Sequence, residues 1–399
     1  MNSSSPIARE QCNPDEQRAC LSDVKRIVVK VGSSTISEGA HLNEAALDGL
    51  VHDLALVKQE GVEVILVTSG AIAAGWPQLG LKQRPNILPH LQAAAAVGQI
   101  RLMAAYEERF SNYGQRAASV LLTRDDFSNR ERYTRMNDTM RALLHFGVIP
   151  IVNENDTVAV DEIRVGDNDT LSAYVTNLVQ AQLLVILSDQ AGFYTADPRH
   201  SPNPELIHTV TSISEEIWKA AGQAGTTGGT GGMVTKLRAA DIVTGSGEMM
   251  ALAHGREPLV ITRLLKGELL GTLFLPQSRI SGRKRWIAYS RPPKGKLFVD
   301  NGARAALVQG GKSLLPAGIR RVEGDFDYSD TVSCLTENGA EFARGLVNYN
   351  AVETAKLAGK HTKDIENILG YRDYDEIIHR DNLVSVSYTH LTLPTILLV

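Results

Sequence analysis

The chain has 399 residues, 43% hydrophobic and 22% charged, with a formal net charge of -4; this is a globular composition, long enough for two or three domains of about 150 residues each. The acidic balance gives no global basic footprint for nucleic acid or an anionic membrane, and no apolar run reaches the ~18 residues that span a bilayer. The N-terminus lacks the apolar stretch of a secretory leader, and Cys12, Cys20 and Cys334 are too few and too scattered for a disulfide framework or a zinc site, so a reducing cytoplasm is the expected compartment.

Residues 1–22 show no periodicity and read as a flexible arm. Residues 24–31, VKRIVVKV, form the first expected buried strand. The turn Gly32-Ser33-Ser34-Thr35 that follows offers backbone N–H groups to an anion. Lys30, at the end of that strand, is placed either to meet the anion or simply to be solvated. Residues 46–59 carry Leu47, Leu50, Val51, Leu54 and Val57 at helical spacing. A second strand, 62–67, runs into Thr68-Ser69-Gly70. Val67 stands where a hydrolase nucleophile elbow requires Gly. Ser69 therefore reads as part of a turn that holds a carboxylate, with a plain helix N-cap as the competing reading. Residues 90–110 form an Ala-rich helix, 120–123 a short strand, and the charged segment after it a helix whose Arg130, Arg132 and Arg135 make a solvated face, with a regulatory or subunit contact as the competing reading.

A buried strand at 147–152 opens into Asn153, Glu154, Asn155 and Asp156, and later Asp167, Asn168 and Asp169. An apolar strand ending in carboxylates and amides is the layout of the carboxyl edge of a parallel sheet, where α/β proteins place ligands. Such groups suit a substrate ammonium, or orient lysines and hold Mg²⁺; an acidic, turn-rich surface loop is the alternative. A helix at 171–179 and a fully buried strand at 183–187 lead to Ser188 and Asp189. Residues 225–236, GTTGGTGGMVTK, run into a helix at 233–243. Close backbone approach at the glycines, a helix N-terminus and Lys236 in the first turn make this the phosphate-cradle candidate. It fits neither the Walker A nor the G-x-G-x-x-G pattern, and a flexible linker competes. Residues 258–261 read as one more strand.

Residues 278–293 are linker-like, with Arg283-Lys284-Arg285 beside Trp286. Residues 294–383 change character: short strands separated by turns such as Asp300-Asn301-Gly302, with a helix at 362–369, make a small barrel-like β domain. Cys334 reads as a small core residue. Residues 384–399 look out of keeping, either foreign to the fold or an added edge strand.

Seven stretches decide the wider reading: VVKVGSST (28–35), VTSGAIAAG (67–75), AAVGQ (95–99), LLTRDDF (121–127), VNENDTVAVDEIRVGDND (152–169), LSDQAGFYTADPR (187–199) and GTGGMVTKLRAAD (229–241). With KRWI (284–287) and SLLPAGI (313–319), they resemble the glutamate 5-kinase family, an amino-acid kinase domain followed by a PUA domain. The resemblance runs in order over roughly residues 24–383. It implies an open, mainly parallel sheet sandwiched by helices at 23–277 and a PUA domain at 294–383. It implies ATP-dependent phosphorylation of the γ-carboxylate of L-glutamate to L-glutamyl 5-phosphate, the first step of proline biosynthesis, with Mg²⁺ and feedback inhibition by proline. By the same resemblance Ser69, Asp156 and Asn168 bind glutamate. Ser188, Asp189, Thr230, Gly231, Gly232, Met233, Val234, Thr235 and Lys236 bind ATP, and Lys30 meets the transferred phosphate. A homodimer or homotetramer is implied as well, with glutamyl-phosphate reductase as a candidate partner and RNA as one reached through the PUA domain.

The chemistry agrees. A γ-carboxylate with a pKa of about 4.3 is already an anionic nucleophile at neutral pH, so no general base is required. The difficulty is bringing an anion to a triphosphate, and catalysis then rests on positioning and charge neutralisation. Lys30, Lys236, Mg²⁺ and glycine-loop N–H groups would supply it, with Asp169 orienting the lysines and Asp167 placed to help hold either the metal or that network; no residue is assigned as a committed metal ligand. The rivals are a kinase of the same fold with another acceptor, an RNA-binding protein using Arg283, Lys284, Arg285, Arg320 and Arg321, and an inactive homologue.

Overall fold

The computed structural model describes residues 18–39, 41–128, 130–158, 168–198, 201, 203–223, 232–276 and 293–385. The chain divides into two compact units between Arg279 and Ile280. The first is built on eight strands: β1 (Arg26–Val31), β2 (Glu63–Val67), β3 (Arg116–Leu122), β4 (Val148–Glu154), β5 (Leu183–Ser188), β6 (Thr209–Val210), β7 (Met249–His254) and β8 (Thr272–Phe274). They form one sheet in the order β6-β8-β7-β5-β1-β2-β4-β3. Every neighbouring pair is parallel except β7 and β8. β1 and β5 are continuous apolar runs buried along nearly their whole length, as central parallel strands covered on both faces must be.

The helices that position the site are α1 (Glu44–Gln59), α2 (Ala71–Gly75), α3 (Leu88–Ser111), α4 (Asn168–Val179), α5 (Met233–Gly245) and α6 (Val260–Leu265). Leu47, Leu50, Val51 and Leu54 of α1 pack with Ile27, Val29 and Val31 of β1 in the core. The carboxyl ends of β1, β2, β4, β5 and β7 share one edge of the sheet, and the strand order turns at β1, between β2 and β5. That crevice is where a doubly wound sheet accepts ligands. Among the described residues no helix is long and apolar enough to cross a membrane.

The structure departs from the sequence reading in several places. Residues 258–261 are not a strand: Leu259 takes a left-handed conformation and α6 starts at Val260. Asp53, buried within α1, accepts hydrogen bonds from Ile261 N (2.7 Å), Thr262 N (3.0 Å) and Thr262 Oγ1 (2.6 Å). A carboxylate three helical turns into α1 therefore caps a helix some two hundred residues later. The central strand β7 has no counterpart among the expected strands. Of the expected flexible arm, residues 18–22 are folded onto the unit. Arg18 is fully buried and donates to the carbonyl oxygens of His208, Glu268, Leu270 and Gly271. Residues 1–17 lie outside the described residues.

The second unit has a five-stranded sheet of β9 (Gly295–Val299), β10 (Ile319–Gly324), β11 (Thr331–Thr336), β12 (Glu341–Leu346) and β13 (Leu383–Ser385), ordered β10-β9-β11-β12-β13. Leu297, Val332, Phe342 and Ile377 share its core with Cys334, which is buried as expected. The Asp300-Asn301-Gly302 turn is instead a helix start: the Asp300 side chain accepts from Ala303 N at 2.7 Å. Val384 and Ser385, the first residues of the out-of-keeping segment, pair with Arg344 and Ala343 as part of β13. Of the suggested basic patch, Arg320 is paired with Asp300, and Arg321 is paired with Glu323 and lies over the Phe298 ring. Arg283, Lys284 and Arg285, like residues 386–399, lie outside the described residues.

Candidate active site

Two groups of side chains meet at the carboxyl edge around β1. The first is ionic. Lys30, one residue before the end of β1, reaches back over the Gly32 turn, where a Cβ on Gly32 would stand 3.6 Å from its Nζ. Asp169 lies in the first turn of α4, and Thr235 and Lys236 lie in the first turn of α5. Lys30 Nζ stands 2.7 Å from Asp169 Oδ1, and Lys236 Nζ stands 3.2 Å from Oδ2. Thr235 Oγ1 donates to the same Oδ2 at 2.7 Å. The carboxylate is 2% exposed and each lysine 7%. Burial by itself would raise the Asp169 carboxyl. The charges of Lys30 and Lys236, with hydrogen bonds from Lys30 and Thr235, outweigh it and hold the group well below the usual carboxylate range. Asp169 is therefore an anion that holds two cations in place, and the cluster carries a net charge of about +1.

Beside it, α5 begins at Gly232 with no side-chain cap. An uncapped N-terminus of a 13-residue helix, flanked by two ammonium groups, is a ready anion site. Gly232, Met233 and Val234 are placed there, while Thr230, Gly231 and Asp167 lie outside the described residues. Ser188 ends β5 and donates to Asp189 Oδ1 at 3.0 Å, and its carbonyl accepts from Gly255 N at 2.7 Å. The structure places this pair one strand over from Lys30 on the same edge.

The second group is neutral. Asn168, 4% exposed, directs its Nδ2 at Thr68 O (2.8 Å), Ser69 Oγ (2.7 Å) and Asn153 Oδ1 (3.2 Å). Asn153 in turn donates to Gln99 Oε1 at 2.9 Å. Asn168 Oδ1 is buried and has no partner among the described residues. Because Asn168 presents only N–H to Ser69 Oγ, the serine's own hydrogen is left for another acceptor. Gly70, at φ 98, turns the chain after Ser69 into α2. Asp156 follows β4 on the same edge, and burial pushes its carboxyl up to about 6. No hydrogen bond joins it to Ser69 or Asn168 among the described residues.

Residues 25–252 match the amino acid kinase family, and residues 295–369 match the PUA domain. Over 370 residues the chain is 51% identical to the glutamate 5-kinase of Geobacter sp. (strain M21), an alignment spanning 92% of this chain and 99% of that one. The chain belongs to the glutamate 5-kinase family. It is 52% identical over 361 residues to the glutamate 5-kinase of Caldanaerobacter subterraneus subsp. tengcongensis, spanning 90% of this chain and 97% of the relative. It is 50% identical over 371 residues to that of Moorella thermoacetica, spanning 92% and 98%. Both groups of side chains fall inside the kinase-family match.

In this glutamate 5-kinase family chain the geometry adds residues to which the sequence reading gave no role. Gln99 extends the amide network through Asn153, while Thr235, expected among the ATP-binding residues, donates to Asp169. Gly75 and Gly98 let α2 and α3 touch backbone to backbone: a Cβ on Gly75 would lie 1.8 Å from Ala94 O, and one on Gly98 1.8 Å from Ala71 O. The available signal was a glutamine and a glycine interrupting the Ala-rich run of α3.

Proposed function

We propose that the chain transfers the γ-phosphoryl group of ATP to the γ-carboxylate of L-glutamate, giving L-glutamyl 5-phosphate, the first step of proline biosynthesis. The observation that carries this reading is the pair Lys30 and Lys236 fixed on one buried carboxylate. Phosphoryl transfer between an anionic acceptor and a triphosphate requires positive charge held in place along the line of transfer, and almost no covalent work from the protein. Two ammonium groups on Asp169 provide that charge without reorganisation during the reaction. Lys30 sits at the transferred phosphoryl group. Lys236 and the α5 N-terminus take the remaining phosphate oxygens, with Ser188 and Asp189 on the nucleotide side. The leaving bond is the β–γ phosphoanhydride; the bond formed joins γ-phosphorus to the carboxylate oxygen, and ADP departs.

The neutral group fits the amino-acid end of glutamate. Asn168 Oδ1 and the Asp156 carboxylate accept from its ammonium, and the Ser69 hydroxyl donates to a carboxylate. Among the described residues no group of three His, Cys, Asp or Glu side chains could hold a metal ion, and Asp169 is committed to its lysines. Mg²⁺ would enter with the phosphates of ATP, as this small, strongly hydrated cation commonly does. Bound there, it supplies further neutralisation of the phosphate charge. Proline shares the ammonium and α-carboxylate of glutamate but has no γ-carboxylate to phosphorylate. It would occupy the Asp156, Asn168 and Ser69 end without reacting.

The test is ATP- and Mg²⁺-dependent hydroxamate formation with hydroxylamine. Glutamate should give product, proline should suppress it, and aspartate and N-acetylglutamate should give none. Acetylation removes the ammonium that Asp156 and Asn168 receive. Product from N-acetylglutamate in preference to glutamate would overturn the assignment.

A further inference from the structure

Gln99 touches neither group of reacting atoms in the scheme above, yet it ends the amide chain. We propose that Gln99 is a positioning residue for glutamate recognition, acting through Asn153 to keep Asn168 and Ser69 in the arrangement that faces the substrate. The inference rests on reading Ser69, Asp156 and Asn168 as the glutamate pocket.

A neutral amide has an oxygen end and a nitrogen end of nearly the same shape, so its neighbours decide its orientation. Asn153 is 2% exposed and has one partner on each side. Its Nδ2 donates to Gln99 Oε1 at 2.9 Å, and its Oδ1 accepts from Asn168 Nδ2 at 3.2 Å. Turned over, Asn153 would set NH₂ against the NH₂ of Asn168 and oxygen against the oxygen of Gln99. The backbone carbonyl Thr68 O, which can only accept, holds Asn168 with its Nδ2 turned toward it, and Asn153 and Gln99 then have one consistent direction. This arrangement leaves an acceptor, Asn168 Oδ1, and a hydroxyl hydrogen, that of Ser69, without partners among the described residues. Acceptor for ammonium and donor for carboxylate is the pattern an amino-acid zwitterion needs. Without an acceptor at residue 99, the Asn153 NH₂ would be buried and unpaired. It would gain by turning toward Ser69 or Thr68, and so would compete with Asn168 for its own acceptors.

The placement of Gln99 is independently constrained. Its neighbour Gly98 lies against Ala71 O, and Gly75 lies against Ala94 O, each too close for a Cβ. Helix α2, which carries Ala71 and Gly75, starts directly after the Ser69-Gly70 turn. Gln99 and the Ser69 turn are thus joined through two helices in backbone contact, and the amide cannot drift relative to the serine.

Gln99→Met keeps length and volume but removes the acceptor; Gln99→Glu keeps an acceptor in the same place. Gln99→Met should raise the glutamate KM about tenfold, as loss of one buried hydrogen-bond partner does, with kcat and the ATP KM near wild type. Gln99→Glu should restore the glutamate KM. A Gln99→Met enzyme with normal glutamate KM overturns the proposal. So does one in which kcat and both KM values worsen together, because that is the mark of a merely structural residue. A Gln99→Glu enzyme as impaired as Gln99→Met also overturns it. Asn168→Leu, assayed alongside, separates the two readings. If it too leaves the glutamate KM unchanged, the pocket is misassigned; if it raises KM while Gln99→Met does not, only the relay fails.

Discussion

Asn168 and Asp169 are consecutive residues in the first turn of α4, buried to nearly the same degree, yet they serve networks of opposite character. Asp169 meets two ammonium groups and a hydroxyl; Asn168 meets a backbone carbonyl, a serine and another amide. Charge suits phosphoryl transfer, because attraction between ions depends on distance far more than on orientation and so tolerates phosphates that move along the reaction path. Neutral amides suit recognition, because each has a fixed donor end and a fixed acceptor end, and a mismatched ligand leaves one of them buried and unpaired. On the proposed function, one helix turn would hand a substrate chosen by hydrogen-bond polarity to a reaction run by charge.

This contrast breaks most visibly at the lysines. Lys30→Ala or Lys236→Ala should lower kcat by about 10²–10³-fold, the usual loss when one preorganised charge donor is removed, while the glutamate KM changes little. Steady-state rates at saturating ATP check this, and near-normal turnover in both variants would contradict it. Next in size is the recognition side. Asp156→Asn should raise the glutamate KM by roughly 10–100-fold, the range for losing a hydrogen bond to a charged group, with kcat largely kept.

The pH dependence sharpens the comparison. Burial raises the Asp156 carboxyl to about 6, so it is protonated in the free enzyme below that pH and ionised above it. Only the ionised form attracts an ammonium. The glutamate KM should therefore fall as pH rises from 5 towards 6, by up to about tenfold per unit, and level off above 7. Asp156→Asn should flatten this profile. Asp169 behaves in the opposite sense: its folded pKa is depressed, so its contribution to stability is present above the unfolded value of about 3.9 and is lost as pH falls below it. Neutral-pH kinetics should show no titration from this group. The smallest expected effect lies away from both networks. Asp53→Ala removes the cap on α6 and should cost about 1–2 kcal/mol in denaturant unfolding, leaving both KM values unchanged.

The two networks were not equally legible in the sequence. Lys30 and Lys236 stand out because each ends or begins an element with a plain signature, a continuous apolar strand and a glycine-rich entry to a helix. Asn168 and Asp169 sit in a run of Asp and Asn that reads either as the ligand edge of the sheet or as an acidic turn, and the first turn of α4 carries no apolar periodicity to mark it as helix. The amide chain is harder still. Gln99, Asn153 and Asn168 are far apart in sequence, and their contact depends on α2 and α3 touching at Gly75 and Gly98, a tertiary event. Strand β7 and the start of α6 escaped for a related reason. The first is a six-residue run with no marked alternation; the second is fixed by Asp53, a residue on α1.

The most direct test of the account is Asp169→Asn, which keeps the shape of the side chain and removes the charge that holds both lysines. The account predicts a fall in kcat of about 10²-fold or more, with the glutamate KM within a few-fold of wild type. An enzyme that turns over normally without the Asp169 charge, or one that loses glutamate binding instead of rate, would contradict it.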